Sequence, residues 1–172
     1  MYFFRQGRII RNLLVMAYMW GCTSFCQYLI MIYVKYLPGS IYINSITSNM
    51  SQNIAALLAG AVYSRVGIRL SFSILYTISA IGGLLILFIG YQNETWMPLF
   101  VSIAMFGCSG AFTLVYVSTQ DCFPGIFCAT ALGVCNFTCR AITVGSDLMA
   151  ETKPPIPMEI FSSMAIGAVL II

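Results

Sequence analysis

Six predominantly apolar stretches, separated by short polar breaks, run along the chain over residues 13–36, 41–63, 71–91, 96–119, 132–150 and 158–172. The breaks are rich in residues that stop helices: Pro38-Gly39, Arg65-Val66-Gly67, Gln92-Asn93-Glu94-Thr95, Cys122-Phe123-Pro124-Gly125 and Thr152-Lys153-Pro154-Pro155. About 20 apolar residues are enough for a helix to cross the roughly 30 Å hydrocarbon layer of a bilayer. The pattern therefore predicts an all-α fold, a polytopic bundle of six transmembrane helices over residues 13–172, preceded by a cytoplasmic basic lead-in over residues 1–12. The last stretch is the shortest. Even counted from Ile156 it gives roughly 25 Å of helix, at the short limit for crossing.

The apolar pattern is also polar in particular places. In the second stretch Asn44, Ser45, Thr47, Ser48, Asn49, Ser51, Gln52 and Asn53 crowd the first half. Such groups need partners away from water, so this half is expected to line a hydrated cavity or to bond to neighbouring helices, and Asn44 is a candidate substrate contact. The third stretch is apolar apart from a few hydroxyls and is expected to face lipid. In the fourth, Gly107, Ser109 and Gly110 permit close helix contact.

The fifth stretch carries the strongest chemical signal, because Arg140 stands in its middle. An arginine at the centre of a membrane helix costs roughly 2.5–3.5 kcal/mol, so it normally faces water or a partner. Asn136, Arg140, Thr143 and Asp147 fall at i, i+4, i+7 and i+11, which puts all four on one helical stripe. That stripe is the candidate substrate surface, with Arg140 as anchor and Asn136 and Thr143 beside it. The alternative is a structural Arg140, held by carbonyls or by an acid on a neighbouring helix.

Composition narrows the class. With 172 residues, 60% hydrophobic and only 8% charged, and a mean hydropathy of +0.91, the chain does not fit a soluble domain, where charged residues approach a quarter. The net charge of +3 gives no reason to expect a nucleic-acid partner. The absence of histidine removes imidazole metal sites, catalytic triads and proton shuttles. No enzyme activity, metal or cofactor is expected. Cys22 and Cys26, and again Cys135 and Cys139, repeat at i, i+4, and read as small residues at helix contacts rather than as a thiolate cluster.

Charge placement sets the orientation, since loop arginines and lysines favour the cytoplasm. Arg5, Arg8, Arg11, Arg65 and Arg69 lie on one side of the expected bundle, Lys35 and Lys153 on the other. Both termini are thus expected in the cytoplasm, in a multi-pass membrane protein whose membrane is not specified. Asn93-Glu94-Thr95 is a glycosylation sequon in an outer loop, and the matching triplets at Asn49 and Asn136 fall within spans.

Two of the turns resemble signatures of a known family. Gly60 to Arg69 is similar to the Gly-x-x-x-Asp-Arg-x-Gly-Arg-Arg turn of the major facilitator superfamily, with Arg65, Gly67 and Arg69 matching and Ser64 and Ile68 departing. Thr119 to Cys128 is similar to Thr-x-Glu-x-Tyr-Pro-Thr-x-x-Arg, with Asp121 and Pro124 corresponding and Gly125 and Cys128 departing. Over nearly its whole length the chain resembles the C-terminal half of the organic cation and anion transporters of that superfamily. The resemblance implies that the first, second, fourth and fifth helices line a cavity, that the third and sixth face lipid, and that Asp121 pairs with Arg65 or Arg69 when the cytoplasmic side is closed. It also places Arg140 where anion carriers have arginine, implying a small organic anion as substrate.

These carriers use twelve helices in two halves rocking about a shared site. The resemblance therefore implies a secondary-transporter module, half of that fold, working by alternating access. Its partner would be an N-terminal-half polypeptide, a second copy, or a larger membrane complex. The alternative function is a non-transporting structural subunit that keeps the half-fold, a reading favoured by the departures at Ser64, Ile68, Gly125 and Cys128.

Overall fold

The computed structural model describes residues 2–90, 94–152 and 155–171, with side chains from Ile10 onward except that of Glu94. All regular structure among them is helical: α1 Tyr2–Tyr33, α2 Ile41–Val66, α3 Ile68–Leu85, α4 Met97–Cys122, α5 Gly125–Ala150 and α6 Ile156–Ile171. A 3-10 turn, Val34–Tyr36, ends α1, and another, Glu94–Trp96, leads into α4. A π turn, Ile86–Gly90, carries α3 one step further.

Four of these segments are long and apolar enough to cross a membrane: Ile10–Tyr36, Ile68–Gly90, Met97–Cys122 and Gly125–Ala150. The count of six helices agrees with the sequence pattern, while two of them fall short as independent spans for different reasons. At 26 residues α2 has the length, but its polar first half lowers its hydropathy. At 16 residues α6 is apolar and reaches only about 24 Å. Residues 2–12 are helical, since α1 runs without a break from Tyr2. Helix formation needs no apolar face, so the arginines that mark a membrane boundary do not mark a helix boundary. The sequon residue Asn93 and Lys153 lie outside the described residues.

Local chemistry sets the turns. Gly67 is the single residue between α2 and α3, and its φ of 80° is a backbone region that a side chain disfavours. Its N–H donates to the Tyr63 carbonyl, closing α2, and its own carbonyl accepts from the Ser71 N–H, opening α3. Pro124 plays the equivalent part before α5, where its carbonyl accepts from the N–H groups of Phe127 and Cys128 at 2.8 and 3.0 Å. In this way α5 starts at Gly125, earlier than the apolar pattern from Leu132 suggests.

Two long helices, α1 and α4, form the middle of the bundle. Outside them, α5 lies along α1 and α2 along α4, while α3 packs against α4 and α6, and α6 also against α1. The centre is held by Trp20, which is fully buried with its indole N–H donating to Thr119 Oγ1 at 3.0 Å. Tyr76 is equally buried and is hydrogen-bonded to Thr23. The four cysteines at i, i+4 spacing are all buried and unoxidised at helix contacts.

Helices α3 and α4 approach closely through glycine. A Cβ on Gly107 would stand 2.4 Å from the Leu75 carbonyl oxygen, and one on Gly82 would stand 2.4 Å from the Ala104 nitrogen. The third helix, expected to face lipid, is exposed on one side only, since Phe72, Leu75, Tyr76 and Ser79 are buried. The most exposed apolar helix is α5, whose apolar window is only 17% buried.

Candidate functional site

The α5 stripe splits between two environments. Cys135, Cys139, Thr143, Ser146 and Ala150 are buried against the bundle, whereas Arg140 and Asp147 are exposed and Asn136 is half-buried. At 100° per residue Thr143 sits on the border between the two faces. Its hydroxyl is spent on packing: it lies 2.7 Å from Ser24 Oγ on α1 and donates to the Cys139 carbonyl. Gly21 on α1 leaves room beside it for Ile142, so α1 and α5 come close together.

Arg140 projects from this close pair of helices. One guanidinium nitrogen donates to the hydroxyl of Tyr28 on α1 at 2.8 Å, and the guanidinium carbon stands 5.8 Å from the centre of the same ring. Among the described residues Arg140 forms no ion pair, and the exposed Asp147 does not neutralise it. Arg140 is exposed, and a guanidinium has further donors in a fork suited to a carboxylate. On α4, Tyr116 belongs to an aromatic cluster. That ring packs edge-on against Trp20 at 4.3 Å and Phe112 at 5.5 Å between ring centres. Phe112 and Tyr116 are half-buried, leaving this aromatic surface partly open.

The sequence reading missed Tyr28 at this site, and it missed the aromatic cluster of Phe112 and Tyr116. The last two stand at i, i+4 on α4, just beyond Gly107 and Gly110, a pattern that marks an aromatic stripe but not its neighbour. Tyr28 is joined to Arg140 across 112 residues of chain, and only the packing of α5 on α1 brings them together.

Asn44 lies elsewhere. It is fully buried at the start of α2, its amide nitrogen 3.4 Å from the Pro38 carbonyl oxygen, and its own Oδ1 has no partner among the described residues. The structure does not bring it to Arg140. The rest of the polar half of α2 divides between two solutions. Asn49 and Asn53 are exposed and donate back to carbonyls of their own helix. Ser51 donates to the Ser102 carbonyl on α4, the Gln52 carbonyl accepts from Ser109, and the Gln52 side chain meets Gln27 of α1 at 3.5 Å.

At the end of the bundle that carries Gly67 and Pro124, Arg65, Arg69 and Asp121 are all exposed. The expected pairing of Asp121 with Arg65 or Arg69 is not present. Instead its carboxylate accepts a hydrogen bond from Tyr63, which stands at the end of α2 facing the end of α4. A tyrosine near the end of one helix can reach across to the next, while both arginines sit further on, around the Gly67 turn.

No protein-family model matches the chain. It is similar to organic anion transporter 3 of mouse, 24% identical over 169 residues, and to organic anion transporter 3 of rat, 25% identical over the same length. Each alignment covers 95% of this chain and 31% of the relative, so the chain spans about a third of the length of the relatives it matches.

Proposed function

We propose that this chain is a membrane transport module that moves small organic anions by alternating access, with Arg140 as the residue that holds the anion. The observation that carries the proposal is a guanidinium in the middle of a membrane-capable helix, positioned by Tyr28 and bound to no acid among the described residues. A charge at that depth is costly unless something answers it, and an anionic substrate does. The similarity to two organic anion transporters supports the same sign of substrate. The aromatic pair Phe112 and Tyr116 gives the apolar part of an organic anion a surface to rest on.

In this reading the exposed faces of α2 and α5 meet the other half of a twelve-helix carrier, supplied by an N-terminal-half polypeptide or a second copy, and the site closes between them. Asn136 is then a hydrogen-bonding flank of the anion, and Thr143 fixes the height of α5 on α1. Arg65, Gly67, Arg69, Asp121 and Pro124 form the turns that open and close the cytoplasmic side, with Tyr63 as the partner of Asp121.

The test is uptake of a labelled aromatic carboxylate by vesicles containing the assembled protein. Arg140→Ala abolishes uptake, and Arg140→Lys retains little, because a point charge does not reproduce the fork. Uptake unchanged in Arg140→Ala, at normal expression, would leave Arg140 a structural residue. A second reading, a non-transporting subunit of a membrane complex, is favoured by the turns, where Arg65 and Arg69 meet no acid among the described residues. It predicts a stable complex with no uptake in the wild type.

A further inference from the structure

Away from the α5 face, the bundle holds a cleft of about 430 Å³ where residues 11–19 of α1 and the start of α3 meet the ends of α4 and α6. Arg11, Asn12 and Arg69 line it, and both arginines are exposed. Met16, Met19 and Phe72, all buried, form its apolar floor. Arg69 is at the start of the membrane-capable segment Ile68–Gly90, and Arg11 on α1 shares the cleft with it. The two cations therefore stand at one polar boundary of the bundle, with apolar surface directly beneath them. Neither forms an ion pair among the described residues.

A pair of unneutralised guanidiniums over an apolar floor, at the height where a helix leaves the hydrocarbon, selects a ligand with an anionic head and an apolar tail. Basic clefts between membrane helices on the cytoplasmic side are suited to acidic lipid head groups. We propose that this cleft is a binding site for an anionic phospholipid, its phosphate held by Arg11 and Arg69 and its first methylenes resting on Met16, Met19 and Phe72. A soluble phosphate would satisfy the arginines and leave the floor bare. A zwitterionic lipid would bring a quaternary ammonium against two positive charges. The site rests on membrane embedding and not on transport, and it is read without any uptake measurement, so either proposal can fail alone.

The experiment is native mass spectrometry of the protein, in the assembly it forms in mild detergent, after delipidation and titration with phosphatidylglycerol or phosphatidylcholine. The wild type retains phosphatidylglycerol in preference to phosphatidylcholine. Each arginine near a membrane surface contributes about a fivefold effect, so Arg11→Gln with Arg69→Gln weakens phosphatidylglycerol binding roughly 20- to 30-fold. Arg11→Lys with Arg69→Lys restores most of it, which separates lost charge from lost fold. Arg65→Gln, an exposed cation at the same end but outside the cleft, weakens binding less than either Arg11→Gln or Arg69→Gln alone. Equal retention of the two lipids, an equal loss in Arg65→Gln, or displacement by millimolar inorganic phosphate would overturn the proposal.

Discussion

An arginine in an apolar helix either finds an acid or keeps its donors for something that arrives later. Arg140 has a tyrosine hydroxyl, which orients the guanidinium without cancelling its charge. Tyr28→Phe keeps the ring and removes the hydroxyl, and hydrogen bonds to charged groups are worth about 1.5–3 kcal/mol. Uptake in Tyr28→Phe is therefore expected to fall by roughly tenfold or more, without the complete loss expected for Arg140→Ala. An equal loss in the two variants would mean that Tyr28 touches the substrate itself. Arg140 was legible in the sequence because a lone charge breaks a hydrophobic pattern. Its stripe was legible only in part: four residues within one narrow arc looked equivalent, yet the position of α1 turns Thr143 inward and leaves Asn136 and Arg140 outward. Asn44 was drawn into the site by residue type alone, and its burial beside Pro38 depends on a loop geometry that no periodicity encodes.

At the scale of elements, the glycines make sharper predictions than the polar residues. Gly107→Ala puts a Cβ 2.4 Å from a backbone oxygen of α3, whereas Gly110→Ala meets only the flexible end of Leu75 at 2.8 Å. Thermal unfolding in detergent is expected to show Gly107→Ala destabilised by about 1–3 kcal/mol, the usual range for overpacking, and Gly110→Ala by clearly less. The reverse order would mean that α3 and α4 are not packed at this register. Gly67→Ala meets no atom within 4 Å, but its φ of 80° with ψ of 175° costs roughly 1–3 kcal/mol, so it destabilises the turn without any clash. Helix positions were legible because proline and glycine punctuate them: Pro38-Gly39, Gly67 and Pro124 each fall at an observed boundary. The early starts of α1 and α5 were not, since apolarity reports where a helix can enter lipid and not where its hydrogen bonds begin. The π turn at Ile86–Gly90 had no local signal either.

For the whole molecule, residues 11–19 of α1, the start of α3 and the ends of α4 and α6 meet around one cleft, so the chain crosses the bundle back and forth. That arrangement fits the arginines gathered at one end and places Tyr2 and Ile171 on the same side. Tags at the two ends are expected to be reached by impermeant reagents from the same face of the membrane, and protection of one but not the other would require an odd number of crossings.

The same arrangement leaves α2 and α5 each packed on one side, with Asn49, Asn53 and Arg140 exposed among large apolar side chains such as Tyr42, Leu57 and Phe137. Apolar surface tolerates lipid, but a bare guanidinium does not, so this face is expected to be covered by protein. The measurement that tests the account most directly is native mass spectrometry of the chain extracted in mild detergent, with organic-anion uptake recorded for the same preparation in liposomes. The chain is expected to run with a six-helix partner, either a complementary half or a second copy, and to show no uptake without it. A monomer that transports on its own would contradict that claim.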